Sequence, residues 1–300
     1  MADLKLGMIG LDTSHVKIFV QLLNETENEQ HVSGGRVVIG YPGGSSDFKL
    51  SMDRVEGYTS ELRDNYGIKI VDTPEQVADF ADAILLTAVD GRSHLDLFRT
   101  IAPFGKPVFI DKPLTVSYKD AVAIMKIAEH YKVTVMSCSV RRYAQRILQA
   151  KTNNDYGAIV NVDCFGTLAF ESTQPGFFWY GIHIVECLYA LLGSGCKEVI
   201  TFAGEASDIV IGTWEDGRVG SMRGNHLLNK SQGVWIHREK ATEFIDTSVE
   251  EKSKYVTMLE QIIKMCNTGK SDIDPLETIE IIRFIEAANE SRITGKTVRL

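Results

Sequence analysis

The sequence predicts an α/β protein in two parts. Residues 1–137 read as a doubly wound parallel sheet, and residues 138–300 as an α+β domain on an open, mostly antiparallel sheet. Three observations predict this. In the first part, short apolar runs alternate with segments of helical periodicity, the pattern of strands joined by crossover helices. After about Ser137 the strands alternate apolar and polar residues, as strands with one wet face do. The length, 300 residues, suits one large domain or two ordinary ones.

Leu4 to Gly10 is the first strand, and Val16, Phe19, Val20 and Leu23 then recur at helical spacing. Arg36 to Ile39 is the second strand and Ile68 to Val71 the third. Pro74 opens a helix at its first position. Asp82 to Val89 is apolar enough to be buried on both faces, and Ser93 to Ala102 is helical. Val108 to Ile110 is the fifth strand, Ser117 caps a helix through Tyr131, and Val133 to Ser137 is the sixth strand.

In the second part Ile159 to Phe165 is a strand with one wet face. Gly181 to Leu192 is a helix ended by Gly193. Val199 to Phe202 and Asp208 to Trp214 are strands. Asp216-Gly217 signals a type I′ hairpin into Val219 to Arg223, and Gly233 to His237 follows. A helix carries Tyr255, Met258, Leu259, Ile262 and Ile263 on one side. The last helix has Asp274 as cap and Pro275 at its first position.

Composition narrows the function classes. A net charge of -8 argues against a nucleic-acid or polybasic membrane surface. No apolar stretch reaches the ~18 residues of a membrane span. The start, Met1-Ala2-Asp3, has no signal-peptide pattern. Five cysteines without CxxC spacing read as reduced thiols, so a cytoplasmic protein is expected. No HxxxH or HxH spacing supports a metal site, and no G-x-S-x-G supports a hydrolase.

The chemistry-bearing stretch is Val108-Phe109-Ile110-Asp111-Lys112-Pro113. It places an acid and a lysine at the carboxyl end of a buried parallel strand, where open α/β sheets bind their ligands. The turn Gly10-Leu11-Asp12-Thr13-Ser14-His15 lies between the first strand and its helix, as a dinucleotide-binding unit begins. With these come Thr87-Ala88-Val89…His94, Tyr180-Gly181-Ile182-His183 and the ending Thr294-Gly295-Lys296-Thr297-Val298. Together and in this order they resemble the Gfo/Idh/MocA oxidoreductases, over nearly the whole chain. Asp111-Lys112-Pro113 is similar to that family's Glu-Lys-Pro motif.

The resemblance implies a Rossmann domain, NAD or NADP as cofactor, and a small sugar-like substrate held between the domains. It implies Gly10, Leu11, Thr13, Ser14, Thr87, Ala88, Val89, His94 and Asp111 as cofactor contacts. It implies Lys112 and His183 as catalytic residues, with Tyr180 as a further candidate acid. Lys112, Arg142, Trp179 and His183 are then the candidate substrate contacts. Arg142 could equally form a salt bridge, and Trp179 and Tyr180 could equally be an aromatic pocket wall. A homodimer or homotetramer is expected, because a sheet with one bare face often meets a second copy.

Three positions depart from the pattern. Asp12 and His15 replace the second and third glycines of G-x-G-x-x-G. Asp12 either caps the first helix with Thr13-Ser14, or turns away, or pairs, with His15 as one partner. The second strand ends in Tyr41-Pro42-Gly43-Gly44, without the acid that holds a ribose and without an arginine for a 2′-phosphate. Trp179 stands where the family has an aspartate four residues before the histidine, leaving Glu186, one turn on, to orient His183. The alternative these departures motivate is a non-redox ligand-binding or regulatory protein on a dehydrogenase scaffold.

Overall fold

The computed structural model describes residues 3–227, 229–249 and 252–300, so Met1 and Ala2 lie outside the described residues. The chain divides into two compact units. The first comprises 1–115, 119–138 and 255–275; the second comprises 116–118, 139–254 and 276–300.

The first unit is the doubly wound sheet. Its strands are β1 (Leu4–Ile9), β2 (Gly35–Tyr41), β3 (Lys69–Ile70), β4 (Ala83–Leu86), β5 (Val108–Asp111) and β6 (Val135–Cys138). They pair in the order β3-β2-β1-β4-β5-β6, and every pairing is parallel. The order reverses between β1 and β4, so the ligand crevice of such a fold lies outside their carboxyl ends. β4 and β5 are buried at every residue, which is why they read as continuous apolar runs. Helix α1 (His15–Asn24) follows β1 and buries Val16, Phe19, Val20 and Leu23, the expected face. Helix α3 (Pro74–Phe80) has Pro74 at its start and a capping box between Thr73 and Gln76. Helices α4 (His94–Ile101) and α5 (Tyr118–Tyr131) also lie within a residue of their predicted starts.

Helix α2 (Lys49–Tyr66) was not legible. Of its 18 residues only Ser51 and Leu62 are buried, so no apolar period marks it. A second correction concerns the boundary at 138. Residues 255–275, including most of α8 (Lys254–Thr268), return to the first unit, where Ile263 packs at Gly35. A linear reading cannot detect such a return, because the helix is amphipathic whichever unit it covers.

The second unit is built on a seven-stranded sheet. Its strands are β7 (Ile159–Thr167), β8 (Cys196–Phe202), β9 (Ser207–Trp214), β10 (Val219–Asn225), β11 (Gly233–Arg238), β12 (Thr242–Asp246) and β13 (Val298–Arg299). The order is β12-β11-β7-β10-β9-β8-β13, antiparallel except for β7 with β10. The unit also holds α6 (Gln145–Thr152), α7 (Gly181–Leu192) and α9, whose run is Pro275–Thr294. One face of the sheet is covered by α7 and α9. A Cβ at Gly220 would lie 2.7 Å from Leu188 and Leu192 of α7, so that glycine sets how closely helix and sheet approach. The edge strands β12 and β13 were missed because they are short and half wet. The β9–β10 hairpin exists, but its turn is not type I′. Gly217 has φ +90 while Asp216 does not have positive φ, and Trp214 N–H donates to Arg218 O across a four-residue loop.

Candidate active site

In the first unit the site begins at the β1 turn. Gly10 has φ +87, and a Cβ there would fall 2.3 Å from both Cα and N of Ala88. The turn is tied on both sides. Thr87 donates its hydroxyl to Gly10 O at 2.8 Å and its N–H to Ile9 O at 2.7 Å. Gly10 N–H donates to Tyr41 O at 3.0 Å, and Leu11 N–H to Pro42 O at 2.7 Å. Thr87 and Ala88 therefore build the turn rather than present side chains to a ligand. Leu11 is fully buried with its amide already bonded, which corrects its expected role as a cofactor contact.

Asp12 does not cap α1, nor does it pair with His15. Its Oδ1 accepts Val89 N–H at 2.8 Å and its Oδ2 accepts the Ser51 hydroxyl at 2.6 Å, so the carboxyl lies buried between the β4 turn and α2. Burial raises its pKa above the ordinary carboxylate value, and the Ser51 and Val89 bonds offset this only in part. The carboxyl is thus turned inward. Ser14 precedes α1, is exposed and makes no side-chain cap, while the His15 N–H donates to Thr13 Oγ1 at 3.5 Å and the Val16 N–H to Thr13 O at 3.2 Å.

At the end of β5, Asp111 is fully buried and Lys112 only 8% exposed. His15 Nδ1 lies 2.8 Å from Asp111 Oδ2, and Lys112 Nζ lies 3.8 Å from the same oxygen. The histidine contact is close but off-axis: neither Asp111 oxygen makes an aligned side-chain hydrogen bond. Burial alone would raise the Asp111 pKa. The adjacent His15 and Lys112 outweigh it and hold the carboxyl well below its ordinary range. On the far side of His15, Nε2 meets the Tyr255 hydroxyl at 3.2 Å. Sequence reasoning missed Tyr255 as part of this cluster, because 240 residues separate it from His15.

His94 is corrected as a cofactor contact. It is fully buried, with Nδ1 3.0 Å from Pro113 O and 3.1 Å from Leu114 O, and Nε2 2.8 Å from Ala88 O. It fastens the turns after β4 and β5 together. Nearby, Arg92 spans the loops that leave β2 and β4. It donates to Asp47 at 2.8 and 2.9 Å and to buried Asp90 at 2.7, 3.0 and 3.1 Å. An acid and an arginine thus stand beside the end of β2, Asp47 from the loop after it and Arg92 from the loop after β4.

In the second unit His183 lies on α7, half-buried, with Nδ1 2.6 Å from Ser139 Oγ. Glu186 does not touch this ring directly. It pairs with Arg142 at 2.8 Å. Arg142 also pairs with Glu277. Arg142 is therefore a buried counter-ion between two carboxylates, not a free substrate clamp. No spacing rule links positions 139 and 183, so sequence reasoning missed Ser139. Tyr180 stands edge-on to His183 at 5.7 Å, and Trp179 edge-on to Tyr180 at 6.0 Å, which is an aromatic wall beside the imidazole.

Burial pushes the Glu186 pKa up to about 7, and Glu277 on the same guanidinium adds to this, against the pull of Arg142 and the Ser139 amide. The folded protein therefore holds this proton more tightly than the unfolded chain does. Its stabilisation is complete below the ordinary glutamate range and is lost as pH rises through about 7. Denaturant unfolding at pH 5 and pH 8 should differ by up to about 3 kcal/mol from this group. Glu186→Gln should flatten that difference; an unchanged pH dependence in the variant would refute the assignment.

The sheet order and the glycine turn at the switch point define a Rossmann fold of the dinucleotide-binding type. Residues 38–138 match the model of the GFO_IDH_MocA family, an oxidoreductase family with an NAD-binding Rossmann fold. This similarity covers about a third of the chain and lies almost entirely within the first unit. An uncharacterized oxidoreductase of Streptococcus pneumoniae is 25% identical over 168 residues, covering 51% of this chain and 44% of that relative. The match thus spans less than half the length of the relative. The probable dehydrogenase from Thermotoga maritima superposes with a TM-score of 0.81 at 16% identity, covering 99% of this chain and 98% of that one. The scyllo-inositol dehydrogenase from Lactobacillus casei, solved with NAD(H) and scyllo-inositol, gives 0.80 at 12% identity, covering 99% of each chain. At these identities the likeness concerns the fold. Among the described residues no helix is long and apolar enough to cross a membrane.

Proposed function

We propose that this chain is an NAD(P)-dependent oxidoreductase acting on a sugar, polyol or related hydroxy or carbonyl compound. The observation that carries the reading is Lys112: a nearly buried amine at the carboxyl end of β5, beyond hydrogen-bond distance of its neighbouring carboxylate. The residues fit a nicotinamide dinucleotide. Ser14 before α1 is exposed with no side-chain cap of its own, and Asp111 Oδ1 is buried without an aligned partner. Thr13 and Ser14 would hold the diphosphate, backbone of Thr87 to Val89 would flank it, and Asp111 would face the nicotinamide end. The cofactor, when bound, supplies or accepts the hydride. Lys112 gives a proton to the substrate oxygen or takes one from it. His183, its ring held through Nδ1 by Ser139 Oγ, would polarise a substrate hydroxyl. The inositol bound by the Lactobacillus casei neighbour supports a polyol-like substrate. The protein acts in the cytoplasm on this small molecule, without nucleic acid or membrane.

Asp47 and Arg92 favour NAD over NADP. Asp47 is exposed and held by Arg92, and with Asp90 the three side chains carry a net negative charge that opposes a 2′-phosphate. Fluorescence titration with NADH and NADPH should show NADH binding more tightly. Asp47→Asn should shift the affinity ratio toward NADPH by about tenfold or more. Binding of neither cofactor sinks the oxidoreductase reading.

The tied Gly10 and Leu11 amides favour the second reading, a sugar-binding or regulatory protein without redox. It predicts thermal stabilisation by polyols with no response to either cofactor. We also propose a homodimer or homotetramer. The open face of the second unit's sheet exposes Phe202, Trp235 and Phe244, and sedimentation as a single 33.4 kDa species would remove this proposal.

A further inference from the structure

A buried carboxylate takes the nearest donor. Asp111 has two candidates, His15 on α1 and its own neighbour Lys112, and both approach the same oxygen. The imidazole holds the short contact at 2.8 Å, and the amine stands off at 3.8 Å. His15 is fixed for this task from several sides. Phe19 stacks on it at 5.6 Å with an interplanar angle of 28°, the Tyr255 ring meets its edge at 5.3 Å, and the Tyr255 hydroxyl reaches Nε2 at 3.2 Å. Residue 15 is also where the dinucleotide fingerprint has its third glycine, kept small for close packing of helix on strand. Here that space holds a side chain that reaches across to β5.

We infer that His15 is a positioning residue for Lys112: by holding the Asp111 carboxylate it keeps the Lys112 amine from being captured by it, and so available to a substrate oxygen. The titratable groups around His15 are Asp111 and Lys112 from β5 and Tyr255 from α8. The geometric claim stands on its own; its catalytic consequence rests on the oxidoreductase reading. Tyr255 acts one step further out, by fixing the imidazole plane.

The test is the rate at which acetic anhydride acetylates Lys112 in the full chain, read by peptide mass spectrometry with other lysines as internal references. In His15→Ala the amine closes on Asp111, and acetylation slows by about tenfold or more relative to those lysines. In the double variant His15→Ala/Asp111→Asn the carboxylate charge is gone and the rate returns. If His15→Ala does not fold, His15→Asn, which keeps a polar group beside Tyr255, is read the same way. An unchanged rate in the single variant overturns the inference. So does a slow rate that the double variant fails to restore, which marks a merely structural histidine. Where turnover is measurable, kcat falls in the single variant with KM unchanged, and a fall in KM affinity alone counts against the proposal. Failure of nicotinamide binding would overturn the oxidoreductase reading yet leave the acetylation result intact, so the two failures are distinguishable.

Discussion

Lys112→Ala is expected to lower kcat for polyol oxidation by about 10²–10⁴-fold, the contribution typical of one proton-transfer group. The fold should tolerate the change. Asp111 keeps His15 within 2.8 Å as a polar neighbour when the amine is removed. The proposed diphosphate site at the start of α1 is untouched, and the NADH dissociation constant should stay within about threefold. The combination of lost turnover and retained binding separates a proton-handling role from general damage. It is checked by steady-state rates on a polyol panel beside a fluorescence titration. Turnover at the wild-type rate would remove Lys112 from the chemistry, and with it the observation on which the functional reading depends.

Gly10→Ala is expected to be the most destabilising single substitution in the first unit. Two costs combine. A φ of +87 is strained for any residue with a Cβ. The new methyl would also lie 2.3 Å from Cα and N of Ala88, which are backbone atoms and cannot swing aside. To admit it, the turn must move off β4 and break the Thr87 hydroxyl bond to Gly10 O and the Gly10 amide bond to Tyr41 O. A loss of about 4 kcal/mol or more is expected, in the range reserved for overpacking plus broken buried hydrogen bonds. Urea unfolding of the two proteins checks it. A difference under about 0.5 kcal/mol would mean that the turn is not held against β4 as tightly as described.

Much of the first unit was legible. β4 and β5 are apolar at nearly every position because both faces are covered, and α3 announces itself by Pro74. The residues at strand ends were legible too, since a strand's carboxyl end is a property of its neighbours in sequence. Lys112 followed from that alone. Helix α2 was not legible, because its surface is polar all round. The direction taken by Asp12 was not legible either: capping α1 and bonding Val89 are both good outcomes for a carboxylate. The second won because β4 brings a buried amide within 2.8 Å.

The pairings that define the candidate site join residues far apart in the chain. Ser139 with His183, Arg92 with Asp47, and Tyr255 with His15 are separated by 44, 45 and 240 positions. By itself the sequence determined the elements, the alternation that makes one sheet parallel and the other half wet, and the placing of a lysine where a strand of the first sheet ends. Only the tertiary structure decided which partner each buried polar group takes, because periodicity and turn chemistry act over a few residues, whereas a buried charge is satisfied by whatever the packed chain brings within about 3 Å of it.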